Sequence, residues 1–315
     1  LGHLTFPQVL CAFYATGVLI LVLGLSGWVR RAVATIPMPI VMGMVAGVFL
    51  RFGLDLVRSL REDIVIAGPM VAVWLVLSGL PELGRRIPPI LGALVVGVVV
   101  MIACGRTDGA ALASTSMLAH PLLQAPVWSW PAIIELTVPL AISVLVVQNG
   151  QGIAVLKSVG HEPPVDAISV TCGIGSLLCA MVGCVSTCLT GPTNAIIVAS
   201  GKRSDHYVGG IVTGLLALAF GLMAPAFTRL LLHTPKTFIM ALAGLAMLRV
   251  LQGAFAASFK TRFSLGALVA FLVTVADIDI ANIGAAFWGL VAGFAASWLM
   301  ERHDFHAVAA ERAGG

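Results

Sequence analysis

The chain has 315 residues, of which 59% are hydrophobic and only 10% are charged. Because a soluble domain carries about 25% charged residues, this composition excludes an ordinary soluble protein and indicates a polytopic helical membrane protein. It also excludes a disordered chain and a secreted disulfide scaffold. The formal net charge of +4 does not indicate a nucleic-acid binder, since the 18 basic residues are scattered through short loops.

Apolar runs long enough to span a bilayer, about 17–25 residues, recur along the whole chain. Segment E is followed by the glycine-rich run 148–152, and segment G is short with Gly191 and Pro192 in its middle. We therefore predict discontinuous helices at these two places. The predicted segments are A 6–28, B 33–51, C 64–80, D 88–104, E 131–148, F 166–184, G 187–200, H 207–228, I 235–251, J 263–277 and K 283–300.

The orientation of the segments follows from the lysines and arginines in alternating loops. The side that contains the loop between A and B carries twice as many of these residues as the other side. Cytoplasmic loops carry an excess of Lys and Arg. We therefore predict a multi-pass protein of the bacterial inner membrane, with the A–B loop and the C-terminal tail in the cytoplasm.

An internal repeat relates the two ends of the chain. Residues 16–25 in A match residues 213–222 in H at six of ten positions, and B, C and D match I, J and K at nearly the same offset. H is the seventh segment after A, an odd number, so the two copies cross the membrane in opposite senses, as in many secondary transporters. The predicted parts are a first repeat in 1–130, a second repeat in 131–300 and a tail in 301–315.

The second copy begins with E, F and G, whereas no equivalent segments precede A. We therefore expect three further helices, roughly 65–85 residues by the repeat offset, before the first residue of this sequence. A shorter protein with eleven helices is the alternative.

The run after segment E supplies the first half of a candidate substrate site. Gln148 and Asn149 carry amides that both donate and accept hydrogen bonds, and Gly150 and Gly152 loosen the backbone beside them. Hydrogen bonding between helices in lipid is the alternative role for the two amides.

The middle of segment G supplies the second half of the candidate site. Thr190 is a plausible N-cap before Gly191, and Pro192 suits the first helical position. The free N–H groups of Thr193 and Asn194, at the positive end of the helix dipole, would then attract an anion.

Glu135, about one turn into segment E, is the candidate proton carrier, although a negative charge at a helix N-terminus is also favoured by the dipole. Four cysteines in segments F and G lack a CxxC spacing or a histidine partner, so we predict no metal site and no cofactor. The absence of any nucleophile–base pair argues against an enzyme.

Three runs resemble the benzoate/proton symporter (BenE-type) family: 148–157, 50–54 and 286–293. That family is similar in fold to the nucleobase and sulfate transporters, which have fourteen segments in a 7+7 inverted repeat with core and gate domains. The resemblance implies that A, E and G are the fourth, eighth and tenth segments. It makes B–D and I–K the gate, and A with E–H the visible core.

Two departures from the nucleobase relatives bear on the substrate. Those relatives carry a carboxylate near the position of Thr193, and often a glutamate where Gln148 and Asn149 stand. We therefore expect proton-coupled uptake of a small organic anion, such as benzoate or a related aromatic carboxylate. A nucleobase or sulfate-type carrier of the same fold is the alternative. A channel is less favoured, since A–D and H–K show no polar stripe. A homodimer is a further possibility.

Overall fold

The computed structural model describes residues 4–106, 117–199, 201–260 and 262–313, and within these ranges the regular structure is helical apart from one isolated bridge. In the described part of the chain, five helices are long and apolar enough to cross a membrane, which confirms the prediction of an all-α membrane protein. The helices are α1 Phe6–Leu25, α2 Trp28–Thr35, α3 Met38–Glu62, α4 Ile64–Gly79, α5 Pro81–Arg86, α6 Pro89–Ala103, α7 Trp130–Ser158, α8 Val165–Met181, α9 Gly191–Val198, α10 His206–Leu222, α11 Ala224–His233, α12 Lys236–Phe259, α13 Ser264–Ala276, α14 Ala285–Met300 and α15 Arg302–Ala313.

Every predicted segment overlaps one of these helices, but two ends differ markedly. Helix α3 continues to Glu62, past the predicted end of B at residue 51, and α12 continues to Phe259, past the predicted end of I at residue 251. The apolar run marks only the part of a helix that suits the hydrocarbon core. Beyond it, polar residues such as Arg58 and Arg61 continue α3, because they are good helix formers.

The described residues form two compact units. Unit 1 is drawn from residues 1–48, 121–198 and 252–315, and unit 2 from residues 49–120 and 199–251. In unit 2, α4 packs against α6 around a buried apolar cluster. The fully buried members of this cluster are Ile66, Ala67, Met70, Ala93 and Ala241.

Unit 1 is built on the close approach of α1 and α8, which glycines on both helices permit. A Cβ added at Gly173 would lie 2.7 Å from the Leu21 Cα atom, and one added at Gly24 would lie 2.9 Å from the Val170 nitrogen. Small residues at such contacts are the usual means by which helices pack in lipid.

Two carboxylates at the start of α15 cap the N-terminus of α13, which has no cap of its own. Glu301 accepts hydrogen bonds from the backbone nitrogens of Leu265 and Gly266 at 2.9 and 3.0 Å, and Asp304 accepts one from the Phe263 nitrogen at 2.9 Å. The first N–H groups of a helix lack intrahelical partners, and here side chains distant in sequence supply them.

Candidate functional site

Helix α7 runs unbroken through the glycine-rich turn 148–152. It begins at Trp130 and ends at Ser158, so the predicted break after segment E is wrong. Continuous intrahelical hydrogen bonding is the arrangement that lipid favours, and isolated glycines do not prevent it. Gly152 serves a different purpose, which is the close packing of the neighbouring segment at Leu189.

The irregularity of α7 lies upstream of the predicted break, in two π-helical turns at Ile133–Thr137 and Ser143–Gln148. Pro139 follows the first of them and has no N–H to donate to the carbonyl of Glu135, which explains a departure from α-geometry there. The second π turn ends at Gln148. Such turns are frequent at functional sites.

Segment G has the predicted form, an extended stretch followed by the short helix α9. Helix α9 begins at Gly191, so Thr190 precedes it and Pro192 occupies the second helical position rather than the first. The Thr190 carbonyl accepts hydrogen bonds from the backbone nitrogen of Asn194 at 3.2 Å and from its side-chain amide at 2.7 Å. Thr193 is exposed.

The side chain of Asn149 fastens the extended stretch to α7. Asn149 is fully buried, and its Oδ1 atom accepts a hydrogen bond from the Leu189 nitrogen at 2.7 Å. A buried amide that satisfies a backbone N–H in this way is costly to remove, because the N–H would be left without a partner.

Helix α8 binds the same extended stretch at Thr187, two residues before Leu189. The Thr187 nitrogen donates to Ser176 Oγ at 3.0 Å, and the Thr187 hydroxyl donates to the Cys172 carbonyl at 3.0 Å. Backbone N–H groups of an extended chain alternate in direction, so those of Thr187 and Leu189 point to the same side. The other edge of the stretch, at Ser186 and Cys188, makes no backbone hydrogen bond within the described ranges.

Glycines allow α7 and the start of α9 to touch. A Cβ added at Gly152 would lie 2.6 Å from the Leu189 carbonyl oxygen, and one added at Gly191 would lie 2.7 Å from the Gln151 Oε1 atom. Gln151 is only 2% exposed and its amide approaches Met44 Sδ at 3.5 Å. These contacts bring the predicted residues of α7 and α9 together in one place.

Gln148 and Gly150 differ from their neighbours in having space around them. Gln148 is half-buried, and its amide makes no hydrogen bond within the part of the chain that the structure describes. A Cβ added at Gly150 would meet no atom within 4 Å. Residues two apart in a helix point about 200° away from each other, so these two openings lie on opposite sides of α7.

Glu135 does not join this group. It is half-buried in the first π turn, thirteen residues before Gln148, a separation of about 20 Å along a helix. Among the described residues, no cluster of three His, Cys, Asp or Glu side chains could hold a metal ion.

Sequence reasoning missed Gln151, Ser176 and Thr187. Gln151 lies in the same glycine-rich run as the two predicted amides, and a buried amide in a membrane segment is itself a signal. Ser176 and Thr187 act only through backbone partners elsewhere in the chain, so nothing in their local sequence identifies them. Ser186 carries a buried hydroxyl that has no partner within the described ranges.

These apolar helices, with a short helix reached through an extended stretch, define a multi-pass membrane protein of transporter type. Residues 1–299 match the sequence profile of the benzoate membrane transport protein family, and the chain belongs to that family. It is a family of membrane transport proteins and not of enzymes.

Two relatives are similar over nearly the whole chain. The inner membrane protein YdcO of Escherichia coli (strain K12) is 31% identical over 300 residues, which are 93% of this chain and 74% of that protein. The benzoate membrane transport protein of Acinetobacter baylyi (strain ATCC 33305 / BD413 / ADP1) is 28% identical over 309 residues, 95% of this chain and 75% of that protein. The chain therefore matches about three quarters of each relative's length.

Proposed function

We propose that this protein is a secondary active transporter of the bacterial inner membrane that takes up benzoate or a related aromatic carboxylate together with protons. The family match and the name of the Acinetobacter relative support the substrate class. The name of the Escherichia relative supports the membrane. Several apolar helices support a multi-pass arrangement.

The observation that carries the proposal is the contact between the amide-bearing turn of α7 and the start of α9. Neither 148–152 nor 186–194 contains a charged side chain. The Asn194 N–H already donates to the Thr190 carbonyl, so it is not free as the sequence suggested. An anion held here is bound by amides and by the remaining N–H groups at the helix N-terminus, which carries a partial positive charge. The residues of this site are Gln148, Asn149, Gly150, Gly152, Thr190, Gly191, Pro192, Thr193 and Asn194.

The transport mechanism is alternating access between a core and a gate within a 7+7 inverted repeat. The packing of α4 on α6 and of α13 on α14 supports the repeat, because these pairs derive from the matching segments C–D and J–K. A Cβ added at Gly97 would lie 2.8 Å from Met70 Sδ, and one added at its counterpart Gly293 would lie 2.7 Å from Ala270 Cβ. Each of these two glycines thus lies at the contact within its own helix pair. The C-terminal tail is cytoplasmic.

Protons make the uptake of an anion easier against a negative interior. Moving one negative charge inward costs about 2.3 kcal/mol per 100 mV, and one accompanying proton cancels this cost. Glu135 is the proton carrier of this mechanism, because it is a carboxylate within a predicted spanning helix.

The test is uptake of labelled benzoate by proteoliposomes that contain the purified protein. We expect uptake that accelerates when the outside is acidic, and no uptake by empty liposomes. Uptake of uracil or sulfate without uptake of benzoate would contradict the proposal. Gln148→Glu adds a negative charge at the amide turn, so it should weaken benzoate binding more than Gln148→Ala does.

A further inference from the structure

A large cavity lies within unit 1, beside the amide-bearing turn of α7. Its volume is about 1530 Å³, which exceeds that of ordinary small-molecule pockets, roughly 300–1,000 Å³. The part of its wall that α7 contributes includes Gly150, from the turn that carries the candidate amides, and Ile153 and Ala154 just after that turn. The other walls come from the α1–α3 region and from the start of α13 through α15.

Among the residues that the structure describes, the charged ones that line this cavity are all basic. They are Arg31, Lys157 and Arg262, and no Asp or Glu is among the described lining residues. A cation in the last turn of a helix is favoured by the dipole, which accounts for Lys157 alone. Arg31 and Arg262 come from two other segments, so the clustering has no such local explanation.

Aromatic rings complete the lining. Phe263 and Phe305 meet edge to face with their centroids 4.8 Å apart, and Phe287 lines the same cavity. Phe263 is 4% exposed, so its ring is fixed by its surroundings. Aromatic rings interact well with a further ring, whereas the basic groups attract a carboxylate.

We propose that this cavity is a second binding subsite for the transported aromatic carboxylate, placed between the amide turn and the compartment on the side of the A–B loop. The inference rests on the proposed function and extends it by naming where the anion binds on the side of the A–B loop. Gly150 belongs to both places, since it lines the cavity and stands between Asn149 and Gln151 in the chain. The three cations raise the local concentration of the anion, and the rings favour an aromatic one.

The test compares substrate affinity on the two sides of right-side-out membrane vesicles. The vesicles are loaded with a series of concentrations of unlabelled benzoate. The rate at which labelled external benzoate enters by exchange is measured at each one, and the internal concentration that gives half the maximal rate reports the internal affinity. Lys157→Gln and Arg31→Gln should each raise this concentration by about three- to tenfold, as expected for a partly screened charge. The external KM should change by less than about twofold, because the lost charge is remote from that face.

Lys202→Gln is the matched control. It removes the same charge from an exposed residue of the same predicted side that does not line the cavity, so both affinities should stay as in the unaltered protein. Equal changes on both sides, or no change beyond this control, would overturn the subsite. A measurement on the unaltered protein does not depend on how well the variants fold. Raised salt inside the vesicles should weaken its affinity for internal benzoate, because salt screens the basic groups. An internal affinity that does not depend on salt would also overturn the subsite.

The two proposals fail in different ways. Absence of benzoate exchange by the unaltered protein contradicts the proposed function itself. Normal exchange by the unaltered protein, with unchanged internal affinity in both variants, contradicts only the subsite.

Discussion

Neighbouring amides in α7 have different tasks. Sequence reasoning treated Gln148 and Asn149 alike, yet consecutive residues of a helix point about 100° apart. Asn149 is directed towards the extended stretch and is occupied by the Leu189 N–H, whereas Gln148 keeps its hydrogen-bonding capacity. The pair was recognisable from the sequence, but the division of labour depends on a contact across forty residues.

We therefore expect the two alanine variants to separate stability from affinity. Asn149→Ala leaves the partly buried Leu189 N–H unsatisfied and should lower the free energy of unfolding by about 1–3 kcal/mol. Gln148→Ala should leave thermal stability in detergent unchanged while raising the KM for benzoate. Thermal unfolding and uptake measured on the same preparations check both statements. Equal stability of the two variants would mean that the Asn149 hydrogen bond does not hold the extended stretch.

At the scale of elements, Gly and Pro residues predicted one helix boundary correctly and another wrongly. Gly191 and Pro192 correctly indicated a helix start after an extended stretch, because Pro is favoured in the first turn of a helix. Gly150 and Gly152 wrongly indicated a break in α7. Gly152 lacks a side chain because Leu189 packs closely against it. That packing is a tertiary contact, which the local sequence does not reveal.

The two glycines of this turn provide a controlled comparison. Gly152→Ala forces a Cβ against the Leu189 carbonyl and should destabilise the protein by about 1–3 kcal/mol, the usual cost of overpacking. Gly150→Ala meets open space, so it should leave stability unchanged or raise it by up to about 1 kcal/mol through better helix propensity. Thermal unfolding in detergent distinguishes the two, and similar losses in both would contradict the packing described for this turn.

The cap of α13 is also an element-scale device. Glu301→Ala removes two hydrogen bonds between a carboxylate and backbone N–H groups, so we expect a loss of about 2 kcal/mol in stability. Glu162→Ala, at an exposed carboxylate in the α7–α8 connection, is the control and should change stability little. If both variants unfold at the same temperature, the carboxylate does not act as a cap.

At the scale of the whole molecule, hydropathy predicted the all-α class and the approximate positions of the apolar helices in the described residues. It succeeded because long apolar runs are the strongest signal that a sequence offers. The arrangement of helices into two units was out of reach, since every apolar segment presents nearly uniform faces. The Glu301 cap and the Asn149 tether each join segments that are more than thirty residues apart.

Coupling to protons is a property of the complete transport cycle, and Glu135 gives it a test. Glu135→Gln removes the carboxylate without changing its size, so uptake driven by a pH gradient should fall at least about tenfold. Exchange of internal for external benzoate should persist, because it needs no net proton movement. Uptake assays with and without the gradient measure both, with the exposed Glu82→Gln as control. Equal loss of gradient-driven uptake and exchange would mean that Glu135 is not specific to proton coupling.

The empty space around Gly150 also has a consequence for how such a protein can diverge. Each glycine codon is one base change away from an alanine codon and from a valine codon. At Gly150 these replacements add methyl groups toward the cavity without displacing any neighbour within 4 Å of the new Cβ atom. A single nucleotide substitution can thus reduce the volume available to a substrate while the helix and its packing stay intact.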